Sequence, residues 1–96
     1  MRAYVIAEIN IHDKTQYEEY KKLTPASIAE YGGSFVIRGG RTITLEGDWD
    51  PKRIVVTAFP SVEKAVEWWN SPGYEKAKKI RQASADTRMI IVEGAE

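Results

Sequence analysis

The stretch "YGGSFVIRGGRTITLEGDW", Tyr31 to Trp49, carries two glycine pairs, Gly32-Gly33 and Gly39-Gly40. A Gly-Gly pair between apolar runs ordinarily marks a tight hairpin. Two readings compete for Gly39-Gly40: the loop of a hairpin, or a kink within one long strand. Taken as a single strand, residues 35–46 place Phe35, Ile37, Gly39, Arg41, Ile43 and Leu45 on one face. The apolar phase passes through the glycines. As a hairpin, the same residues would oppose Ile37 to Thr42, Phe35 to Thr44 and Arg38 to Arg41. Those pairs mix apolar with polar and face like charges, which is unfavourable. The pattern therefore predicts one strand over 35–46, kinked or bulged at Gly39-Gly40. The reversal then falls in "EGDWDPK" (46–52), rich in turn formers.

Working outward, "AYVIAEINI" (3–11), "RIVVTAF" (53–59) and "TRMIIVEG" (87–94) read as strands. Asp13 is placed to cap a helix from Lys14, with Tyr17, Tyr20 and Leu23 at helical spacing. Thr24-Pro25 is expected to restart that helix, and Gly32 to stop it in the left-handed conformation. Ser61 caps a second helix with Val62, Ala65, Val66 and Trp69 on one face. Ser71-Pro72 restarts it, and Tyr74, Ala77 and Ile80 carry the stripe onward. The order is β-α-β-β-α-β. This is the ferredoxin-like plan, an α+β sandwich with an antiparallel four-stranded sheet and helices on one face. Three of the strands are apolar on both faces, so the bare face needs a cover. A second copy of the sheet is the expected one, which makes a homodimer.

The chain has 96 residues, and it is read as one domain over 1–96. Fourteen basic and fourteen acidic residues leave no net charge and no basic face, which argues against nucleic acid. The absence of Cys excludes disulfides, thiolate metal sites and a cysteine nucleophile. Glu8 and Asn10 interrupt the N-terminal apolar run, so neither a secretory signal nor a membrane span is expected. The expected location is cytoplasmic.

"YGGSFVIRGG", "LEGDWDP", "VVTAFPSVEKAVEWWNSPGY" and the final "VEG" resemble the family described as domain of unknown function 1330. The likeness runs essentially end to end. It implies a dimeric α/β barrel, in a group that includes cofactor-free monooxygenases, haem-degrading enzymes and small isomerases. Residues 58–79 are similar to the haem-degrading, antibiotic-biosynthesis-monooxygenase branch, with Trp68, Asn70-Ser71 and Tyr74 on that branch's Trp, Asn-Ser and aromatic positions. Two residues depart from it. Phe59 stands where that branch has a catalytic Trp, and Lys78 where it has the haem-ligating His. A protonated Lys has no lone pair for iron, so no haem or other cofactor is expected.

Arg38 is the leading candidate for ligand binding. It is expected mid-strand, opposite Phe35 and Ile37, pointing into the enclosed space of a dimer. There an Arg needs a partner: Glu8 on the first strand, or an anionic ligand. Asn10 follows on the same strand. His12, the only histidine, is a candidate base at a strand–helix junction, with a plain loop residue as the alternative. One His with no carboxylate at motif spacing makes no metal site. Trp68 and Tyr74 are candidates to line a pocket for a planar molecule, and Tyr17, Tyr20, Tyr31 and Trp69 are further aromatics that could line it; at helical spacing such residues are more often core. The expected function is binding of a small aromatic or anionic molecule, with cofactor-free monooxygenase- or isomerase-like catalysis as the enzymatic form. The alternative is a non-catalytic binding or structural dimer.

Overall fold

In the computed structural model, which describes residues 1–95, the chain runs β1 (Ala3–Ile11), α1 (Lys14–Glu30), β2 (Ser34–Arg38) and β3 (Arg53–Phe59). It continues through α2 (Val62–Trp69), α3 (Pro72–Ser84) and β4 (Ala85–Glu93). The fold is α+β. Its four strands lie in the order β2-β3-β1-β4, with every neighbouring pair antiparallel. Ala3, Val5, Ala7 and Ile9 of β1 alternate into the core and pack with Tyr17, Tyr20, Ile28, Phe59, Trp68 and Tyr74.

The predicted caps form. Asp13 Oδ1 accepts from Gln16 N at 3.1 Å, Ser61 Oγ from Lys64 N at 3.1 Å, and Ser71 Oγ from Tyr74 N at 3.2 Å. Gly32, at φ 75°, ends α1. Its N–H reaches Ala29 O, and that of Gly33 reaches Ile28 O, so two orphan carbonyls of the last turn are satisfied.

The two [ST]-Pro pairs behave differently. Ser71 adopts an extended conformation and Pro72 opens a new helix, as expected. Thr24-Pro25 does not restart anything: α1 runs unbroken through Pro25. Thr24 Oγ1 donates back to Tyr20 O at 2.6 Å, which keeps its backbone helical. Pro25 has no N–H to give to Lys21 O, four residues earlier. That carbonyl accepts from Arg38 Nη2 at 3.1 Å instead.

The reading of Gly39-Gly40 is corrected as well. Among the described residues no fifth strand forms, but no long bent strand forms either. β2 ends at Arg38, and residues 39–52 are an exposed loop. Gly39 adopts φ 73° and donates to Ile54 O at 2.8 Å. Because β3 begins only at Arg53, residues past Gly39 find no strand to pair with. The bulge lies earlier, between Phe35 and Ile37. Phe35 pairs with Thr57 and Arg38 with Val55, both on the helix side, while Ile37 pairs with Val56 on the open side. One extra residue reverses the phase. Arg38 therefore shares a face with Phe35 instead of opposing it.

The open face of the sheet carries Tyr4, Ile6, Ile54, Val56, Ile90 and Val92 by strand alternation and register. Ile37, Ile90 and Val92 are exposed there, as are Ile43, Leu45 and Trp49 on the loop.

Candidate functional site

Between α1 and the sheet lies a cavity of about 30 Å³, the room of one water molecule. Its floor is Val5, Ala7, Val55 and Thr57, and its walls include Tyr17, Tyr20, Phe35 and Trp68. Two arginines line it, Arg38 and Arg53.

The Arg38 guanidinium carbon stands 4.2 Å from the Phe35 ring centroid, while Nη2 caps Lys21 O. A helix proline and a strand bulge together hold this cation at the cavity. Arg53 opens β3 in register with Ile9, on the helix side. Its guanidinium carbon lies 5.7 Å from the Tyr17 ring centroid. Its Nε is buried, with no hydrogen-bond partner among the described residues. A Cβ on Gly39 would collide with this guanidinium, so glycine both adopts the left-handed turn and leaves space for Arg53. Among the described residues, neither arginine has a carboxylate within ion-pair distance.

Burial pushes the Tyr17 phenol above its ordinary pKa, opposed by the Arg53 charge. Burial raises Tyr20 strongly, reinforced by Tyr74. Both remain protonated hydrogen-bond donors at neutral pH. The cavity thus presents cations, neutral donors and aromatic rings, and among the described residues no carboxylate or imidazole lines it.

The six sequence candidates separate. Arg38 and Trp68 line the cavity. Trp68 is also core: its Nε1 donates to Ser27 Oγ at 3.1 Å, and its ring lies 4.0 Å from that of Tyr74. Tyr74 is fully buried behind it, its Oη 2.9 Å from Tyr20 Oη and accepting from Arg81 Nε at 3.3 Å. Asn10 and His12 are exposed and away from the cavity, with His12 N donating to Ser84 O.

Glu8 is not the partner of Arg38. The bulge puts the two on opposite faces, and Glu8 pairs with Arg88 across β1 and β4. It also accepts from Trp49 Nε1 and Lys52 N, each at 3.2 Å, and so ties the 39–52 loop to the sheet. Arg88 and Trp49 hold its carboxyl below the usual range.

Sequence reasoning missed Arg53 as a lining residue, whereas Tyr17, Tyr20 and Trp68, among the aromatics it offered for a pocket, do line the cavity. The signal for Arg53 was present, since it shares its phase in "RIVVTAF" with Val55, Thr57 and Phe59. Among the described residues, no three His, Asp or Glu side chains gather to hold a metal, and no helix is long and apolar enough to cross a membrane.

The architecture and its helix-covered cavity define a ferredoxin-like α+β protein. Solved structures agree on that fold. A protein of unknown function from Rhodopseudomonas palustris matches with TM-score 0.80 at 22% identity, over 99% of this chain and 83% of that one. A dimeric ferredoxin-like protein of unknown function from Jannaschia sp. CCS1 matches with TM-score 0.73 at 10% identity, over 98% and 100%. SnoaB, a cofactor-independent oxygenase from Streptomyces nogalater, matches with TM-score 0.67 at 15% identity, over 99% and 94%. No curated protein matches the chain. The chain belongs to the family described as domain of unknown function (DUF1330), whose model covers residues 2–95.

Proposed function

We propose that this protein is a homodimer that binds a small organic anion in the cleft between α1 and the sheet. The observation that carries the reading is the pair Arg38 and Arg53. Both face an aromatic-lined cavity with no carboxylate partner among the described residues. A carboxylate would take these cations in charge-assisted contacts, with its apolar body against Tyr17, Phe35 and Trp68. As closed, the cavity has the room of one water, so binding requires Arg38, which is exposed, to leave Lys21 O and swing outward, and the cleft between α1 and the sheet to widen around the ligand. The second copy covers the open face, where Ile37, Ile90 and Val92 stand bare. With no carboxylate or imidazole lining it among the described residues, the cleft supports chemistry driven by the ligand's own acidity. That is compatible with the cofactor-independent oxygenation attributed to the Streptomyces neighbour.

Calorimetric titration with benzoate, against neutral benzamide, tests the reading. Arg38→Met keeps the stem on Phe35 and removes the charge. It should weaken benzoate by about tenfold or more and lower stability by no more than about 1 kcal/mol, since the residue is exposed. Pro25→Ala restores an N–H for Lys21 O and releases Arg38, so it should tighten binding. Benzoate binding no better than benzamide, or unchanged by Arg38→Met, would refute the proposal.

A further inference from the structure

We infer that a second anion site, built on Arg81, lies between α3 and the edge strand β4 and takes an apolar-tailed carboxylate. Arg81 falls in the buried stripe of α3 with Tyr74, Ala77 and Ser84, and only 3% of it is exposed. Its Nε donates to Tyr74 Oη. Its guanidinium carbon lies 5.9 Å from the ring centroids of both Tyr20 and Trp69. Among the described residues it has no carboxylate within ion-pair distance. An arginine withdrawn from water without a counter-ion is unfavourable, and a bound anion relieves it.

Three further observations place the anion and describe its body. Arg81 lines an open pocket of about 420 Å³ with Trp69, Gln82, Ala85, Asp86, Thr87 and Met89. Thr87 Oγ1, on the same wall, is buried without a hydrogen-bond partner among the described residues. It supplies a hydroxyl donor beside the cation. Trp69 and Met89 also line an adjoining apolar pocket of about 260 Å³ with Val5, Trp68, Ile90 and Ile91. A carboxylate on Arg81 and Thr87 would therefore carry an aryl or alkyl group against Trp69 and Met89. Asp86 pairs in register with Asn10, so alternation along β4 turns its carboxylate to the far face of the sheet. Ala85, Thr87 and Met89 belong to the helix side, not to the open face proposed for the second copy. Its cation is not one of the two in the Arg38–Arg53 cleft, although Val5, Trp68 and Met89 line both that cleft and the apolar pocket; the inference stands whether or not that cleft binds anything.

Titration with 2-naphthoate, followed by amide and indole NMR shifts, tests the inference, with 2-naphthylmethanol as the neutral control. Expected are shifts at the Trp69 indole and the Ala85 and Thr87 amides, none of which lines the first cleft, with the alcohol about tenfold weaker or worse. Arg81→Gln should abolish the preference for the acid. Should that variant fail to fold, Thr87→Val decides: it removes an unpartnered buried hydroxyl, so it should weaken naphthoate about threefold or more while leaving the melting temperature unchanged or higher. Equal binding of acid and alcohol, shifts confined to Tyr17, Phe35 and Arg53, or a Thr87→Val variant with unchanged affinity would each overturn it.

Discussion

Replacing Tyr74 by Phe deletes one oxygen from the centre of the molecule. The ring remains, with its contacts to Trp68 at 4.0 Å and Trp69 at 6.1 Å between centroids. The Ser71 cap remains too, because it is made by the Tyr74 backbone N–H. What goes is an acceptor for Arg81 Nε and the partner of Tyr20 Oη, both buried. A neutral hydrogen bond contributes about 1 kcal/mol and one to a charged group about 1.5–3 kcal/mol, with a further cost for stranding the partners. The expected loss is about 2–4 kcal/mol, or about 10–20 °C in melting temperature for a domain of this size. Urea unfolding at fixed protomer concentration measures it, since an associating protein's stability depends on concentration. Tyr20→Phe and the double variant complete a cycle. With the Tyr20 hydroxyl already gone, Tyr74→Phe should cost about 1 kcal/mol less than in the parent. A single-variant loss below about 0.5 kcal/mol, or strict additivity, would show that the hydroxyl pair and Arg81 do not form one network.

Glu8 titrates below its usual value because the folded state favours its carboxylate. Its contribution is complete above the unfolded pKa near 4.3 and is lost as pH falls through the lower folded one. Glu8→Gln should therefore be less stable at neutral pH and lose less between about pH 5 and pH 2.5; parallel urea-midpoint curves for the two proteins would contradict this. Gly39→Ala should cost about 1–2 kcal/mol for the left-handed backbone alone, and should weaken benzoate by displacing Arg53; unfolding and titration on the same variant check both. Light scattering at micromolar concentration should return twice the chain mass, and Ile90→Lys on the open face should reduce it to one; a monomeric parent would sink the dimer proposal.

The element order was legible in the sequence because its signals are local. Asp13, Ser61 and Ser71 cap helices through bonds spanning three residues, and Gly32 stops α1 with a single φ angle. The strands announce themselves as apolar, β-branched runs. Nothing as local decided whether Thr24-Pro25 breaks a helix, since Ser71-Pro72 has the same chemistry and the opposite outcome. Arg38, arriving from β2, takes the carbonyl that Pro25 leaves open. The bulge before Ile37 depends on pairing with β3, and it moves Arg38 to the helix side and gives Glu8 to Arg88. Arg53 and Arg81 lie between these cases. Each sits in phase with buried neighbours, Arg53 with Val55 and Thr57, Arg81 with Tyr74, Ala77 and Ser84. A charge on an apolar face is visible in sequence, but the pocket it faces exists only once helices and sheet have packed.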